Sequence, residues 1–582
     1  MQRYLQRAGK RAQSVAKKRL YLLVCLISLA FLMALAGCDS EPKPVDKATP
    51  TPPPRPTPTI PNRPRSGTLN IRLAGDTRTT GETWSLNPWF AGFDANIQQV
   101  TGLIFSGLTK VDNRMQPQPD LAESWDVSTD GTALTFHLRR DVTWQDGVPF
   151  TAQDVLWSYS MLRQISAQDS SILHLQDWVR NVEAVDPVTS TVRFTLKGPY
   201  SPILGDMVFP ILPSHILSGT AAADLATSKF NDQPVGTGPF MFEARVPGQS
   251  ISLKANDHFY GGGPLIERVV FVVAPDDTIA EGALSNGTLQ LGQVPAAAAE
   301  KLVTTNSGIK GGAYDELGYD FIAFNLRPTH VFSDTRMRQA FAYALDKQGL
   351  VFNAGGGQYD PIWTDVNKAS WAHDAAAPQL NGNADKARQL LADAGWKDTD
   401  GDGYVDRDGK PLAVSLYVRN DSTIRVNAAN AMVEPLARVG ISLTVKPADF
   451  TTSILGRLSA TTNPPFDFDL IMLGWTRTGV DPDSFALFHS TQIPTEAAPT
   501  MLNFPGFQAP EYDSLAFRAR ATYDFAVRHD MYIRMQEIVA DQLPYYFLWA
   551  EKFGVVSGQA LHGDIDFNSP RYMWNINQWW IE

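Results

Sequence analysis

Ten prolines fall within the 28 residues from Asp39 to Ser66, DSEPKPVDKATPTPPPRPTPTIPNRPRS. Proline fixes φ and donates no backbone hydrogen bond, so this stretch can enter neither a helix nor a central strand. An extended polyproline-like spacer, rising about 3.1 Å per residue, is what the composition predicts. The spacer divides the chain. A packed body must form from residues 67–582, and the residues before it must be read separately.

Those first residues read as an address. Arg3, Arg7, Lys10, Arg11, Lys17, Lys18 and Arg19 precede 17 apolar or small residues, LYLLVCLISLAFLMALA at 20–36, with no acid among them. A basic stretch, an apolar stretch and small residues before a cut describe an export signal. Length alone leaves a transmembrane anchor open, because 17 residues is the short end of a span. The tetrapeptide Leu35-Ala36-Gly37-Cys38 resembles the bacterial lipobox. That resemblance implies a signal peptide at 1–37 and a lipidated Cys38 opening the tether at 38–66. Each acyl CH₂ contributes about 0.8 kcal/mol, so a multiply acylated Cys38 is a stable membrane anchor. Cys25 leaves with the leader, so no disulfide is expected.

The rest is ordinary folded protein: 43% apolar, 19% charged and 10% aromatic. The formal charge is −11, and loss of the leader's seven positive charges leaves −18. Nucleic acid is disfavoured as a partner, since phosphate binding needs a basic footprint. There is no G-x-S-x-G, H-E-x-x-H, phosphate-loop or C-x-x-C motif, and the nine histidines are scattered, so an enzyme is not expected.

Strands and helices mix along the body. LTFHLR (134–139) and TVRFTL (191–196) alternate apolar and polar residues and predict half-buried strands. RVVFVV (268–273) is continuously apolar, which predicts a strand buried on both faces. Ser333 or Asp334 is positioned to cap one helix through TRMRQAFAYALDKQGLV, with Met337, Phe341, Ala344 and Leu345 at helical spacing. Asn383 and Gly395 suit the two ends of a helix over NADKARQLLADAGW. An amphipathic helix over 529–543 should stop at Pro544. The class is mixed α/β in more than one domain.

Five blocks carry a family signature. Residues 121–159 resemble the signature of the extracytoplasmic peptide/nickel-type solute-binding proteins of ABC importers. Segments 234–264, 322–348, 384–396 and 466–485 resemble the same family in the same order. The resemblance implies a two-lobed periplasmic-binding-protein-like fold, with an inserted subdomain in lobe I. Block order places lobe I at 67–112, 234–313 and 549–582, the insert at 113–233 and lobe II at 314–548. It implies a monomer that captures a peptide-like or oligosaccharide-like solute by hinge closure and delivers it to an ABC permease and ATPase. The protein would be periplasmic or at the cell surface. A sensor of the same fold, reporting to a membrane receptor, is the alternative.

The resemblance also points to site residues. IMLGW (471–475) reads as a strand ending at a Gly-Trp step, and in peptide-binding members the backbone after this step pairs with the peptide. Gly474, Trp475, Thr476, Arg477, Thr478, Asp481, Tyr546 and Phe93 are the implied solute-binding residues. The family's peptide binders carry an Asp three residues past the Trp, where it meets the ligand's α-amino group. Here that position is Thr478. A hydroxyl cannot supply the charge an ammonium needs in a dry cleft, so a simple peptide held by its amino terminus is not expected.

One loop stands apart. In DTDGDGYVDRDG, Asp398, Asp400, Asp402, Gly403 and Asp406 match EF-hand positions 1, 3, 5, 6 and 9, and the Tyr404 carbonyl matches position 7. Position 12 is Gly409 where an EF-hand has Glu. No helix pair of the EF-hand kind flanks the loop, so an ordinary Asp-Gly turn is the expectation, with a structural Ca²⁺ site as the alternative. No other cofactor is expected.

Overall fold

Leu69, Ile71 and Leu73 alternate along TLNIRL and form the buried face of strand β1 (Thr68–Leu73). The computed structural model describes residues 63–75, 85–90, 94–165, 175–186, 190–462, 464–475 and 479–582. Helix α1 (Ala95–Ile104) comes next, capped by Asp94, whose carboxylate accepts from the Asn96 and Ile97 amides.

A four-stranded antiparallel sheet comes after it, from β2 (Ala122–Val127), β3 (Ala133–Leu138), β4 (Val179–Asp186) and β5 (Thr191–Leu196), in the order β2-β3-β5-β4. Helix α2 (Ala152–Leu162) joins its two halves. Leu134, Phe136 and Leu138 face inward, as do Val192, Phe194 and Leu196, so the two alternating patterns form as predicted. Phe136 and Phe194 meet edge-on at 5.5 Å. This sheet shares one apolar core with β1 and α1.

The chain then builds β6 (Phe240–Val246), β7 (Ser250–Ala255), β8 (Arg268–Val273), α3 (Asp277–Ser285), β9 (Leu291–Pro295) and α4 (Ala296–Thr305). Strand β8 corrects an expectation. Val269 and Phe271 are fully buried, whereas Val270 and Val272 are only partly covered. The β8 run is therefore two-faced: one side enters the main core, and Val272 packs beside the small cluster formed by α3 and α4.

After β10 (Ile309–Asp315) and β11 (Tyr319–Phe324) come α5 (Thr335–Ala344) and α6 (Lys347–Gly355). Sequence periodicity joins these two into one helix, and the structure separates them. Leu345 is extended at φ −107°, ψ 129°, and the Asp346 carboxylate accepts from the Gly349 amide, so a second N-cap starts a new helix. The short β12 (Tyr359–Pro361) leads to α7 (Ala384–Asp393), which has the expected Asn383 cap and Gly395 at φ +86°. Beyond it lie β13 (Ala413–Arg419), α8 (Thr423–Ala431), β14 (Ser442–Ala448), β15 (Leu470–Trp475), α9 (Pro510–Ala521) and α10 (Phe525–Gln542). Helix α10 starts four residues before the expected position, at an Asp524 cap, and ends at Leu543 in the left-handed region before Pro544.

The last long strand, β16 (Tyr545–Gly558), organises everything before it. A 12-stranded sheet runs β14-β13-β15-β11-β16-β9-β1-β8-β7-β6, with β10 and β12 also paired to β16. Along one side of β16, Gly558 to Lys552 pair with Ile309 to Asp315, and Trp549 to Tyr545 pair with Asp320 to Ala323. Strands β10 and β11 are thus two consecutive pieces laid antiparallel along one strand. Buried apolar residues divide at the same place. Clusters on either face of the β11–β15 half draw from residues 319–549, while the remaining clusters draw from residues up to 314 and from 555 onward.

Candidate functional site

The Gly-Trp step lies where β15 reaches this crossing. Gly474 pairs with Asp320 and Trp475 with Tyr319, the first residues of β11. A Cβ on Gly474 would run into the Asp320 carboxylate and the Arg425 guanidinium, which explains the glycine. Arg425 Nη2 lies 2.5 Å from Asp320 Oδ1, and burial still raises the Asp320 pKa against that cation. On the opposite face Trp475 stacks on Phe321 at 5.8 Å, and Phe321 stacks on Tyr545 at 3.9 Å.

Two buried ion pairs hold the segment beyond it. Arg528 of α10 places Nη2 2.7 Å from Asp481 Oδ1 and 2.8 Å from Oδ2, and the Tyr532 hydroxyl donates to Oδ1 at 3.0 Å. Burial raises the Asp481 pKa, opposed by Arg528. Arg520 of α9 pairs with Asp483 at 2.7 Å. The Arg520 guanidinium also lies 5.6 Å from the Tyr200 ring and 5.9 Å from Trp178, and those rings stack in parallel at 4.2 Å. Beside them Ser201 donates its amide to the Arg520 carbonyl and its hydroxyl to the Ala519 carbonyl. The two parts of the molecule therefore meet here, far along the chain from the β10–β11 and β16 crossings.

The segment after β12 forms the third wall. Gln536 of α10 accepts from the Thr364 hydroxyl and the Asp374 amide, and donates to the Ala372 carbonyl. Between these anchors Asp365 is 8% exposed. Burial pushes its carboxyl up to about 6, against a hydrogen bond from Ser484.

A cavity of about 280 Å³ opens between this segment and the crossing, bounded by Asp315, Asp360, Trp363, Lys368, His373 and Asp374 among others. Lys368 Nζ lies 2.8 Å from Asp315 Oδ1 and also pairs with Asp360, which receives Lys552 of β16 at 2.8 Å. Burial pushes Asp315 up to about 6 despite Lys368. Burial works the same way on Asp360, but the two lysines prevail and hold it at about 2. Under the cavity, buried Lys347 donates to the Ile362 carbonyl and lies 3.9 Å from the Trp363 ring centre. Burial lowers its pKa strongly.

Gly474 and Trp475 end β15 at the crossing, and Asp481 lies in the segment beyond with its charge engaged by Arg528. Thr476, Arg477, Thr478 and Phe93, with the lipobox and Cys38, lie outside the described residues. Tyr546 is placed on the other face of the sheet, against Phe341 and Lys347. Alternation along β16 makes its neighbour Tyr545 the tyrosine that shares a face with Trp475. Of the loop acids, Asp398, Asp400 and Asp406 bring carboxylate oxygens within 4.8 Å of one another. Asp402 accepts from the Tyr404 amide and is not one of that group of carboxylates. Sequence reasoning missed Asp365, Lys347, Tyr319 and the Asp315–Asp360–Lys368–Lys552 cluster.

Comparison with known proteins identifies the family. The profile of bacterial extracellular solute-binding proteins, family 5 (middle region), matches residues 116–493. The oligopeptide-binding protein AppA of Bacillus subtilis is 29% identical over 579 residues, covering 97% of this chain and 99% of its own. The AppA structure in complex with a nonapeptide superposes with a TM-score of 0.60 at 28% identity, over 89% of this chain and 99% of AppA. NikZ of Campylobacter jejuni, solved with Ni(L-His), gives 0.61 at 27% identity, over 88% of this chain and 99% of NikZ. The described residues contain no helix long and apolar enough to cross a membrane. With a mixed α/β body, a Gly-Trp strand end at the crossing and a profile spanning most of the body, the chain belongs to the family 5 bacterial extracellular solute-binding proteins.

Proposed function

We propose that this protein is the solute-capture subunit of an ABC importer, and that its solute is a peptide-like oligomer enclosed between two lobes and passed intact to a permease. The observation that carries the reading is the pair of continuous crossings, β10–β11 and β16, with the Gly-Trp strand end beside them. Lobe I is assigned to 67–112, 234–313 and 549–582, the insert to 113–233 and lobe II to 314–548. The 313/314 and 548/549 boundaries lie within a few residues of the points where β10 gives way to β11 and β16 changes partners, which supports the assignment. Two strands make a hinge, and closure expels water from the cleft, which strengthens each polar contact to the solute. Closure is favoured only by the solute's higher affinity for the closed state.

The peptide class is supported by AppA, whose crystal partner is a nonapeptide. The lipobox-like Leu35-Ala36-Gly37-Cys38 supports a site of action on the outer side of the cytoplasmic membrane, with acylated Cys38 as anchor and the proline-rich stretch as tether. It works there as a monomer and, like its relatives, as a binding protein rather than an enzyme. The reading is tested by incubating the purified chain with a casein peptide digest and identifying what it retains. Intact peptides of defined length support it. No retained peptide, or hydrolysed products, contradicts it.

A further inference from the structure

One short segment is fastened to both strands of the crossing. Asp315, at the end of β10, pairs across the strands with Lys552 of β16, and Asp360 of β12 pairs with Ala550 on the same strand. Lys368 reaches both carboxylates: its Nζ lies 2.8 Å from Asp315 Oδ1 and also pairs with Asp360. Lys552 completes the group, 2.8 Å from Asp360. The backbone is held as well. Asn367 donates its side-chain amide to the Asp315 and Glu316 carbonyls at 3.3 and 2.8 Å, on the link from β10 to β11. The Glu316 amide donates to the Glu551 carbonyl at 2.7 Å, and the Lys552 amide to the Gln358 carbonyl at 2.8 Å.

The same segment is a wall of the 280 Å³ cavity, which Asp315, Asp360 and Lys368 line together with Trp363, His373 and Asp374. The Asp315 side chain is 3% exposed and that of Lys368 is 41% exposed. The cation is therefore the accessible member of the group, and whatever enters the cavity meets the side chain that ties wall to strands. Its anchor is a buried carboxylate, so releasing the tie strands a charge, which an exposed pair would not do. We propose that Lys368 is a positioning residue for closure, tying the cavity wall at 358–374 to both hinge strands so that solute seated against the wall draws the lobes together. The inference rests on the solute-capture reading and adds how occupancy reaches the hinge. Without the tie, solute meets the same wall in the open and closed forms, and a ligand with equal affinity for two states shifts neither.

The test compares the full chain with Lys368→Met, Lys368→Arg and the double variant Asp315→Asn/Lys368→Met. The double variant strands no buried charge, so it remains informative where Lys368→Met fails to fold. A casein peptide digest is the probe, X-ray scattering reads contraction at saturation, and amide hydrogen exchange is followed without solute. The parent and Lys368→Arg should contract. Lys368→Met and the double variant should retain peptide and not contract. In these two the Glu316 and Lys552 amides should exchange about 5- to 30-fold faster than in the parent, and Lys368→Arg should restore the parent's rate. Contraction of the double variant equal to the parent's overturns the coupling and leaves the solute-capture reading standing, as does unchanged exchange at both amides. A parent that retains no peptide, or retains it without contracting, overturns the solute-capture reading and the coupling with it.

Discussion

Arg528 and Asp481 meet through one nitrogen and two oxygens, with Arg528 Nη2 2.7 and 2.8 Å from the Asp481 carboxylate, fastening helix α10 to the segment beyond the Gly-Trp strand. Arg528 is 1% exposed, so the pair is dry. The same helix holds the 364–374 segment through Gln536. One helix thus fixes two walls of the site.

Removing only the cation should be severe. Arg528→Met leaves Asp481 buried and unpaired, and should cost about 3–5 kcal/mol in urea unfolding. Asp481→Asn combined with Arg528→Met should recover part of that loss, because no charge is then stranded. Equal losses in the single and double variants would show that packing, and not charge, is what Arg528 supplies.

Stability should rise on mild acidification. Asp365 has a folded pKa of about 6, above its unfolded value, so the stability it contributes is present below about pH 4 and lost as pH rises through 6. The change is on the order of 2–3 kcal/mol. Asp365→Asn should flatten this part of the curve, leaving the similar contribution of Asp315, also raised to about 6. Asp360, held at about 2, acts in the opposite sense, so stability should turn down again as pH falls toward that value. Chemical denaturation across pH measures all three slopes.

The Trp178–Tyr200 stack receives Arg520 from the other half of the molecule. Trp178→Ala should weaken solute binding by about 2- to 30-fold, the range of a partly desolvated cation–π contact. Calorimetry with a retained peptide measures it. Unchanged affinity would show that this contact plays no part in holding the closed form.

Cys38→Ser should release the protein from the membrane fraction into the soluble one, since no acyl chain then anchors it. Fractionation of expressing cells reads this directly.

Much of the fold was legible because single elements bury one face. Leu134, Phe136 and Leu138 alternate, and so does the strand they form. The Gly-Trp step was legible through the family resemblance, and the structure supplies its reason, since Gly474 must yield space to the Asp320–Arg425 pair. What escaped depends on tertiary neighbours. Periodicity ran through Leu345, while a local cap at Asp346 broke the helix. RVVFVV read as doubly buried, yet only one of its faces meets the main core. Tyr545 and Tyr546 are adjacent in sequence and opposite in space. Asp365 gave no signal, because a carboxylate becomes unusual only once the cations around it are known.

The most direct measurement of the central claim is native mass spectrometry of the purified chain, before and after mild denaturation. The account predicts a bound peptide recovered with its covalent structure unchanged. A chain that carries no solute and retains none from a casein digest, or that returns cleaved fragments, would contradict it.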